Sequence, residues 1–561
     1  MLNNQKIRDF RFFLRMNTQS SYEELVCTVC FSFLNVKKRS LKKDSPKGTI
    51  TICKELLNYY ISERAIDDFN ERLNSFTISE IKELVYDAYD DYEFERAYEP
   101  SISIDLCELS YKLMKIVHGD FVYQPYCGIG KFLVYLGYKH KNEMFFKDLV
   151  GSTINNDNSL IAQMATYIMS CDIDGNNCAV FTKEPLSELP YPYVSAFIAP
   201  PLNLRIEDKS YTSKIFNGYN FSYRNTSEWL YIDHVLSNTL RYGNRAVGIV
   251  SARALFNKAD QEYRDFLVSN GLIEGIIELP TGIVSNVFAK TYLIVFGKNC
   301  KSIKFIEEKE FNITKKGKTL HFNAKEIFDK FKSNNCKAIE NEKLVGEMSL
   351  QPSAVIIKNE NSVDGTPLFE LADGLVGCQY TLGVFEKKNL LAEEETDFKI
   401  ITSSDIEKDY IDRKSLKSIK EIDKKFEKYV IHKDDLIITS KSSKVKIAVV
   451  DKEPKYKTMV TGGMIIIHPK TDLLNATYLK IYLDSEIGQN QLKAIQKGNI
   501  ILTISVEDLL NLKIPTPNIK EQNSIADRYN EILSTLVALK EKVRRVEEKL
   551  RTLFFSKKEV R

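Results

Sequence analysis

Apolar residues recur at three-to-four spacing in the first 95 residues, which predicts a set of amphipathic helices. The clearest runs are Glu23–Leu34, Ile52–Ile61 and Ile78–Tyr89. The third run follows Thr77-Ile-Ser-Glu80, the pattern of a capping box, so we expect Thr77 to cap a helix. The pattern predicts a helical domain over residues 1–95, and any helical bundle would satisfy it.

Beyond residue 95, short apolar runs alternate with amphipathic segments, which is typical of an α/β domain with a parallel sheet. Residues 121–133 (Phe-Val-Tyr-Gln-Pro-Tyr-Cys-Gly-Ile-Gly-Lys-Phe-Leu) predict a strand, a glycine turn and the start of a helix. Residues 194–198 predict a second strand, which Pro200 and Pro201 end because proline cannot continue a ladder. Gly128 and Gly130 can adopt positive φ and let the backbone approach a ligand. Because ligands bind at strand-end loops in such folds, both turns are expected to border a ligand site.

The pattern changes again near residue 362. Residues 434–450 predict two strands around a polar, basic turn, and residues 461–469 predict another strand. Residues 518–555 predict one long helix with a continuous apolar seam. The chain thus divides into a helical domain (1–95), an α/β domain (96–300), a charged linker with a small strand-helix extension (301–361), an α+β domain (362–517) and a long helix (518–561).

Composition narrows the function only slightly. The 561 residues include 79 Lys+Arg and 76 Asp+Glu, a net charge of +3 that neither requires nor excludes a nucleic-acid partner. Cys27 and Cys30 form a CxxC inside an apolar helical run without a second pair, so we interpret them as core thiols and expect no metal site. With no secretory h-region and no apolar run of membrane-spanning length, we expect a reduced, cytoplasmic protein without a membrane partner.

The two turns of the α/β domain resemble motifs I and IV of the adenine-N6 DNA methyltransferases, especially the modification subunits of type I restriction systems. That family writes motif I as Asp-Pro-x-x-Gly-x-Gly-Gly-Phe and motif IV as Asn-Pro-Pro-Tyr/Phe. The prolines, Gly128, Gly130 and Phe132 match. The resemblance implies a Rossmann-like class I methyltransferase domain with S-adenosylmethionine as its cofactor.

Four positions depart from the family on the residues that carry the chemistry. Gln124 and Lys131 replace the motif I Asp and third Gly, and Ala199 and Leu202 replace the motif IV Asn and aromatic residue. In the family, the Asn side chain and the next carbonyl accept hydrogen bonds from the adenine amine, and the aromatic residue stacks on a flipped base. Ala199 and Leu202, beside Pro200 and Pro201, can do neither.

The cofactor side departs as well. The family expects an acid for the ribose hydroxyls after the second strand, where this chain has Thr153 and Asn155. Thr153 carries no charge, and Asn155 is a poorer substitute for a bidentate carboxylate. We therefore interpret the domain as a methyltransferase fold that has lost methyl transfer, with S-adenosylmethionine binding weakened. The polar segment 203–227 is too long for a simple connection and should face the substrate.

Residues 362–556 resemble the target-recognition domain of type I specificity subunits, which carries the same order of strand pair, Tyr-Leu helix, glycine turn, Leu-x-Ile-Pro strand and long helix. The resemblance implies double-stranded DNA as the partner, read through base edges while basic residues neutralise phosphates. The candidate DNA-facing residues are polar and lie in two turns: Lys441, Lys444, Lys446, Lys497 and Asn499.

In specificity subunits the long helix is a spacer between two recognition domains, and this chain has one domain and one helix. The seam therefore implies a second copy or another protein, such as an active methyltransferase or a restriction subunit. A helix folded back on its own domain is the alternative.

Two functions from this resemblance stay open. The first is a sequence-reading DNA-binding protein of a restriction-modification or phage-defence system with an impaired catalytic centre. The second is an active adenine-N6 methyltransferase in which the carbonyls of Pro200 and Pro201, with Asn203, replace the missing acceptor. A fused nuclease is disfavoured, because Glu80-Ile-Lys82 is isolated in a helical run.

Overall fold

The computed structural model describes residues 5–39, 49–92, 101–116, 121–139, 149–171, 179–182, 186, 195–206, 211–239, 245–285, 290–316, 319–360, 363–406, 411–413, 416–441, 445–496 and 503–553. The chain forms two compact units, Met1–Ile356 and Ile357–Arg561. Within the described ranges, no helix combines the length and the hydropathy that crossing a membrane would require.

The first unit opens with helices, as the periodicity predicts. These are α1 (Gln5–Arg15), α2 (Ser21–Arg39), α3 (Thr49–Tyr60), α4 (Glu63–Asn74) and α5 (Ile78–Asp91). The capping box is present, since the Thr77 N–H donates to the Glu80 carboxylate at 2.7 Å and the Glu80 N–H donates to the Thr77 hydroxyl. Cys27 and Cys30 lie fully buried on α2.

The rest of this unit alternates strands and helices. Its strands are β1 (Ser101–Ile102), β2 (Val122–Pro125), β3 (Leu149–Thr153), β4 (Ala179–Thr182), β5 (Ser195–Ile198), β6 (Tyr211–Thr212), β7 (Asn220–Phe221), β8 (Ala246–Ser251), β9 (Ile273–Leu279), β10 (Val284–Ser285), β11 (Thr291–Phe296), β12 (Ser302–Ile306), β13 (Thr314–Lys316), β14 (Thr319–His321) and β15 (Lys337–Glu340). Its helices are α6 (Ile104–Met114), α7 (Lys131–Lys139), α8 (Asn156–Ser170), α9 (Ser227–Thr239), α10 (Ala252–Phe256), α11 (Gln261–Ser269) and α12 (Ala324–Lys332), and α13 (Pro352–Glu360) spans the boundary between the two units.

Nine of these strands form one mixed sheet in the order β15-β12-β9-β11-β8-β5-β2-β3-β4. Strands β4, β3, β2, β5 and β8 are parallel neighbours. The chain passes outward from β2 to β3 and β4, then returns to place β5 on the other side of β2. Because the strand order reverses between β2 and β5, a crevice is expected at their carboxyl ends. The predicted α/β fold is confirmed.

The sheet extends past the predicted domain boundary at residue 300. Strand β12 pairs in parallel with β9 and antiparallel with β15, so the segment expected to be a linker contributes two strands to the sheet. In β12, the buried side chains Ile303 and Phe305 alternate with Ser302 and Lys304, which are only partly buried. The charged residues between these short strands hid this pairing from sequence analysis.

The second unit is α+β, as predicted. Its strands are β16 (Thr366–Pro367), β17 (Ala372–Val376), β18 (Phe398–Ile401), β19 (Lys417–Ser418), β20 (Leu436–Thr439), β21 (Ile447–Val449), β22 (Lys457–Val460), β23 (Met464–Pro469) and β24 (Lys513–Ile514). They form a four-stranded sheet (β17-β23-β20-β21), a three-stranded sheet (β19-β18-β22) and the pair β16-β24. The helices are α14 (Leu368–Leu371), α15 (Leu382–Lys387), α16 (Ala476–Asp484), α17 (Glu486–Ile495), α18 (Val506–Leu510) and α19 (Ile519–Leu553).

Among the described residues, hydrogen bonds connect the beginning of α19 to the rest of this unit. The Gln522 amide donates to the Leu473 carbonyl at 3.0 Å, and the Lys480 ammonium donates to the Tyr529 hydroxyl at 3.1 Å. Farther along, the apolar seam is exposed: Ile532 (62%), Leu536 (43%), Leu539 (53%), Val543 (57%), Val546 (56%) and Leu550 (63%).

Candidate functional site

The two motif-bearing turns meet at one edge of the sheet. Strands β2 and β5 are parallel neighbours, with Val122 opposite Ser195 and Tyr123 opposite Ala196. The turn after β2 (Tyr126–Gly130) and the turn after β5 (Ala199–Leu202) therefore lie side by side at the point where the strand order reverses. This is the position that sequence analysis assigned to a ligand site.

The glycine turn after β2 has the backbone that its sequence predicts. Gly128 and Gly130 have φ of 53° and 85°. At Gly130 a Cβ atom would lie 2.9 Å from the Cβ of Ala162 on α8, so any larger residue would collide there. This glycine is therefore required by the close approach of the turn to α8, as well as by its φ.

The glycine turn is also closed. Every residue from 122 to 130 is buried. The Tyr89 hydroxyl of α5 donates to the Ile129 carbonyl at 2.7 Å, and the Cys127 N–H donates to the Ser152 carbonyl at 2.9 Å. Tyr126 packs its ring against Tyr231, with centroids 5.0 Å apart. The Ile129 carbonyl and the Cys127 N–H of this turn thus serve contacts within the protein.

Gln124 occupies the position of the motif I Asp, on β2 next to Gly151 of β3. Its side chain is buried, and its Oε1 accepts no hydrogen bond from the described residues. A buried acceptor without a donor costs about 1–3 kcal/mol, so this position is energetically unfavourable for the isolated chain. The amide cannot supply the charge that an Asp would bring.

Lys131 replaces the third motif I glycine, and its side chain is buried at the start of α7. Burial lowers the pKa of its ammonium below the ordinary value, and Cys107 and three nearby carboxylates offset part of that shift. Those carboxylates belong to Asp90, Asp91 and Asp105. A long cationic side chain therefore fills space beside the turn where the family keeps a glycine.

The two residues expected at the ribose position have structural roles. Thr153 ends β3 and is fully buried. Asn155 is the N-cap of α8, and its side-chain Oδ1 accepts the N–H of Asn158 at 3.0 Å. We predicted Asn155 as a substitute for the cofactor-binding acid; the structure instead has its acceptor engaged at the N-terminus of a helix, where such a cap satisfies an otherwise unpaired N–H.

The turn after β5 has no side-chain acceptor at its first position. Ala199, Pro200 and Pro201 are buried and Leu202 is half-buried against the core of the unit. Asn203 follows with φ of 57° and is exposed. The carboxamide proposed to replace the missing acceptor therefore lies on the surface, whereas Ala199 is only 3% exposed.

A buried carboxyl group that sequence analysis missed supports this turn. The Ser251 N–H at the end of β8 donates to the Glu228 Oε1 at 3.2 Å, and the Asn203 N–H also donates to this side chain. Burial raises the pKa of Glu228, and these hydrogen bonds oppose the shift. Glu228 thus connects the turn after β5 to the end of β8, a link across 23 residues that no local pattern reveals.

Two further carboxylates anchor the long polar segment 203–227. Asp233 accepts the Ser213 hydroxyl, the Lys214 N–H at 2.6 Å and the Tyr263 hydroxyl at 2.9 Å. Asp260 holds the end of this segment, where it accepts the Thr226 N–H at 3.0 Å. The described residues 211–227 of this segment are therefore held near both ends by buried carboxylates. Its exposed tip carries Tyr223 (46% exposed) and Arg224.

The second unit contains the predicted DNA-facing residues, and the two that the structure describes differ. Lys441 is exposed, and its N–H donates to the Gly463 carbonyl at 3.3 Å. The Lys446 ammonium instead donates to the Ile406 carbonyl at 2.6 Å, which commits that group to the fold. Lys444, Lys497 and Asn499 lie outside the described residues.

The described part of the chain contains no candidate metal-binding site. No group of three or more His, Cys, Asp or Glu side chains gathers there in a geometry that could hold an ion. Among the described cysteines, Cys27, Cys30 and Cys53 are buried free thiols.

Comparison with known proteins identifies both regions. Residues 96–353 match the family "N-6 DNA Methylase", and residues 382–548 match "Type I restriction modification DNA specificity domain". The specificity subunit of the type I restriction enzyme EcoBI from Escherichia coli is 25% identical over 145 residues. That match covers 26% of this chain and 30% of the subunit, so the chain spans less than a third of that relative.

Two solved structures are similar to this chain at low identity, with TM-scores below 0.5. The methyltransferase subunit of a type I restriction-modification system from Streptococcus thermophilus is 16% identical with a TM-score of 0.45, covering 62% of this chain and 97% of that one. The type IIG restriction endonuclease BpuSI is 12% identical with a TM-score of 0.46, covering 94% and 74%.

Proposed function

We propose that this chain, which joins an N-6 DNA methylase region to a type I specificity domain, is a sequence-specific DNA-binding protein in which methyl transfer is impaired. The observation that carries this proposal concerns the turn after β5. There Ala199 is buried at the position where the family has its amine-binding carboxamide. The setting that the family implies is a restriction-modification or phage-defence system.

The catalytic side supports impairment through its missing acceptor. Methylation of an adenine amine requires hydrogen-bond acceptors that hold the nitrogen lone pair toward the methyl donor. Ala199 has none, and Leu202 has no π face for a base taken out of the stack. The Asn203 carboxamide, four positions farther along, is exposed.

The cofactor side supports the same conclusion. An adenosine-sized cofactor needs an open crevice in which glycine N–H groups and a ribose-binding acid face the ligand. Here residues 122–130 are buried, Lys131 fills the third glycine position and the Asn155 acceptor caps α8. The described residues therefore do not fit S-adenosylmethionine well, and we assign no step to it.

The second unit supplies the proposed DNA contact. Lys441 is exposed where β20 of the four-stranded sheet ends, which suits contact to a phosphate or a base edge. Lys446 is better explained as a structural residue. DNA recognition would then depend on this unit, whereas the methylase region provides the larger scaffold.

We further propose that the exposed seam of α19 pairs with the same helix of a second copy. Its apolar residues, from Ile532 to Leu550, recur at intervals of four and three over about 27 Å of helix, the spacing of a two-stranded coiled coil. Each chain has one recognition domain, so pairing two chains would give two readers of a bipartite DNA site.

An active methylase is the second candidate, and one observation favours it. The turn after β5 is held at a defined position by Glu228, which accepts the N–H groups of Asn203 and Ser251. In that case the carbonyls of Pro200 and Pro201 would accept hydrogen bonds from the adenine amine, with the Asn203 carboxamide as an additional acceptor.

Expression of this chain alone in cells free of adenine methylation separates the two functions. Sequencing of genomic DNA should find no methylated adenine at a defined motif, while the purified protein still binds duplex DNA. A methylated motif that disappears in the Asn203→Ala variant would support the active candidate and contradict the proposal. Binding to no duplex at all would remove the DNA assignment itself.

A further inference from the structure

Three turns of the second unit meet at one end of its four-stranded sheet. The Gly377 N–H donates to the Met464 carbonyl at 2.9 Å, and the Ser440 N–H donates to the Gly463 carbonyl at 2.8 Å. A Cβ atom at Gly462 would lie 2.9 Å from the Cys378 carbonyl oxygen. These contacts fix the backbone of residues 377–380, 439–441 and 461–463 against one another.

Two side chains project from the first of these turns. Gln379 is exposed, and its amide makes no hydrogen bond to any described residue. Tyr380 is half-buried on an aromatic base, with ring centroids 5.8 Å from Phe385 and 5.5 Å from Phe426. Because Phe385 and Phe426 are buried, the turn that carries Gln379 stands on a rigid support.

Lysines surround this support. The Lys388 ammonium lies 4.4 Å from the Tyr380 ring centroid and donates to its hydroxyl at 2.9 Å. Lys425 and Lys428 lie over Phe426 and Tyr429 at 4.9 and 5.0 Å, and Lys441 extends from the neighbouring turn.

Few carboxylates offset these charges. Asp423 pairs with Lys425 at 2.7 Å, and Glu427 pairs with Lys457 away from the ring of Tyr380. Within the described residues, Lys388 and Lys428 have no carboxylate at ion-pair distance. The surface therefore keeps unneutralised ammonium groups beside an uncommitted amide.

We propose that this corner, defined by Gln379, Tyr380, Lys388, Lys428 and Lys441, is the edge with which the specificity domain reads duplex DNA. The inference rests on the proposed function and names the residues that perform it. A glutamine amide offers one donor and one acceptor at the spacing of adenine N7 and N6, so Gln379 reads an adenine edge in the major groove. The lysines contact flanking phosphates, and the aromatic base holds the turn still.

The test selects sequences from a randomised duplex library with the full chain and repeats the selection with Gln379→Ala. The variant should lose base preference at one position and bind the selected duplex about five- to 150-fold more weakly, the range for one bidentate base contact. The dependence of its log Kd on log salt should stay unchanged, because no phosphate contact is removed.

Lysine variants test the other half of the inference. Lys388→Ala and Lys428→Ala should keep the selected sequence but each reduce the salt slope by about 0.9, the value for one phosphate contact. Lys513→Ala, an exposed lysine on β24, is the matched control and should change neither quantity. Thermal unfolding of each variant verifies that the fold is intact.

The outcomes separate this inference from the proposed function. If the unaltered chain enriches no sequence, the proposed function fails. If it enriches a sequence that Gln379→Ala reads equally well, the assignment of this corner is overturned, even where the lysine variants weaken binding. Equal affinity for single-stranded RNA and for the selected duplex would also contradict it.

Discussion

Glycine-containing turns follow strands in both regions of the chain, but their environments are opposite. In the methylase region, residues 122–130 are buried, and Tyr89 closes over them through its bond to the Ile129 carbonyl. In the specificity region, the glycine-containing turn at 377–380 exposes Gln379, and Lys441 is exposed where β20 ends. The Ile129 carbonyl and the Cys127 N–H of the first turn bond within the fold, whereas the Gln379 amide of the second makes no hydrogen bond to a described residue and is exposed to a partner.

This difference coincides with the departures from the motifs that the sequence resembles. Lys131, Thr153 and Asn155 lie at positions where the resemblance predicts cofactor contacts, and each is buried or engaged in a structural contact. If this region no longer binds a ligand, charged and polar groups are no longer required in its pocket. The surface of the specificity domain retains such groups, so we expect function to depend on it.

The largest effect should come from the core beneath the glycine turn. Phe132 is fully buried, with its ring centroid 4.7 Å from that of Phe197. Phe132→Ala should lower the free energy of unfolding by about 3–5 kcal/mol, measured by urea denaturation followed through Trp229, the one tryptophan of the chain. Phe369→Ala, which removes a half-exposed ring from the other unit, should leave this transition in place. A loss well below ~1 kcal/mol at Phe132 would indicate an open pocket.

Pairing through α19 should be the next most sensitive feature. Leu539→Asp places a charge in the middle of the exposed seam and should weaken self-association by about 3 kcal/mol, since the carboxylate would be buried without a partner. Sedimentation equilibrium measures the effect, with Leu539→Met as the apolar control. A monomeric unaltered chain would rule out pairing between copies.

Substitution of Lys131 tests whether its buried side chain fills the space beside the glycine turn. Because burial lowers the pKa of its ammonium below 10.5, the unfolded chain binds the proton more tightly than the folded one. The cost is fully present at neutral pH and is relieved as the pH rises from the folded pKa toward the unfolded value. Lys131→Met should therefore be about 1 kcal/mol more stable at neutral pH, with the gain shrinking in alkali. Lys325→Met, at an exposed site on α12, should show no such pH dependence.

Asn155 distinguishes a helix cap from a cofactor ligand. Asn155→Ala should cost about 1 kcal/mol of unfolding free energy, because the Asn158 N–H loses its acceptor. Asn155→Asp should retain the cap and the stability. Unchanged stability in the alanine variant, together with weaker S-adenosylmethionine binding, would favour the cofactor role.

The smallest effects compare two lysines from the same predicted turn. Lys441→Ala should reduce the salt slope of DNA binding by about 0.9 with little change in stability. Lys446→Ala should leave the slope intact and cost about 1 kcal/mol, because the Ile406 carbonyl loses its donor. The reverse pattern would restore the original assignment of Lys446 to DNA.

Local patterns predicted the elements well. The capping box at Thr77, the helix of residues 518–555 and the strand ended by Pro200 all follow from neighbouring residues, and the structure contains them. The alternation of strands and helices after residue 95 was sufficient to predict the α/β fold.

Contacts between distant residues could not be predicted in the same way. Glu228 reaches Ser251 and Lys446 reaches the Ile406 carbonyl across 23 and 40 residues. The same limit hid Gln379, whose surroundings come from turns at 439–441 and 461–463. A single glutamine cannot be recognised as a binding residue from the sequence, because the fold brings the lysines to its side.

Calorimetric titration of the full chain with S-adenosylmethionine tests the central claim most directly, namely that the crevice at β2 and β5 no longer holds its cofactor. We expect no saturable heat with the cofactor, alone or with a selected duplex present, while the duplex itself binds. Tight, stoichiometric binding of S-adenosylmethionine would contradict the account and favour an active methylase.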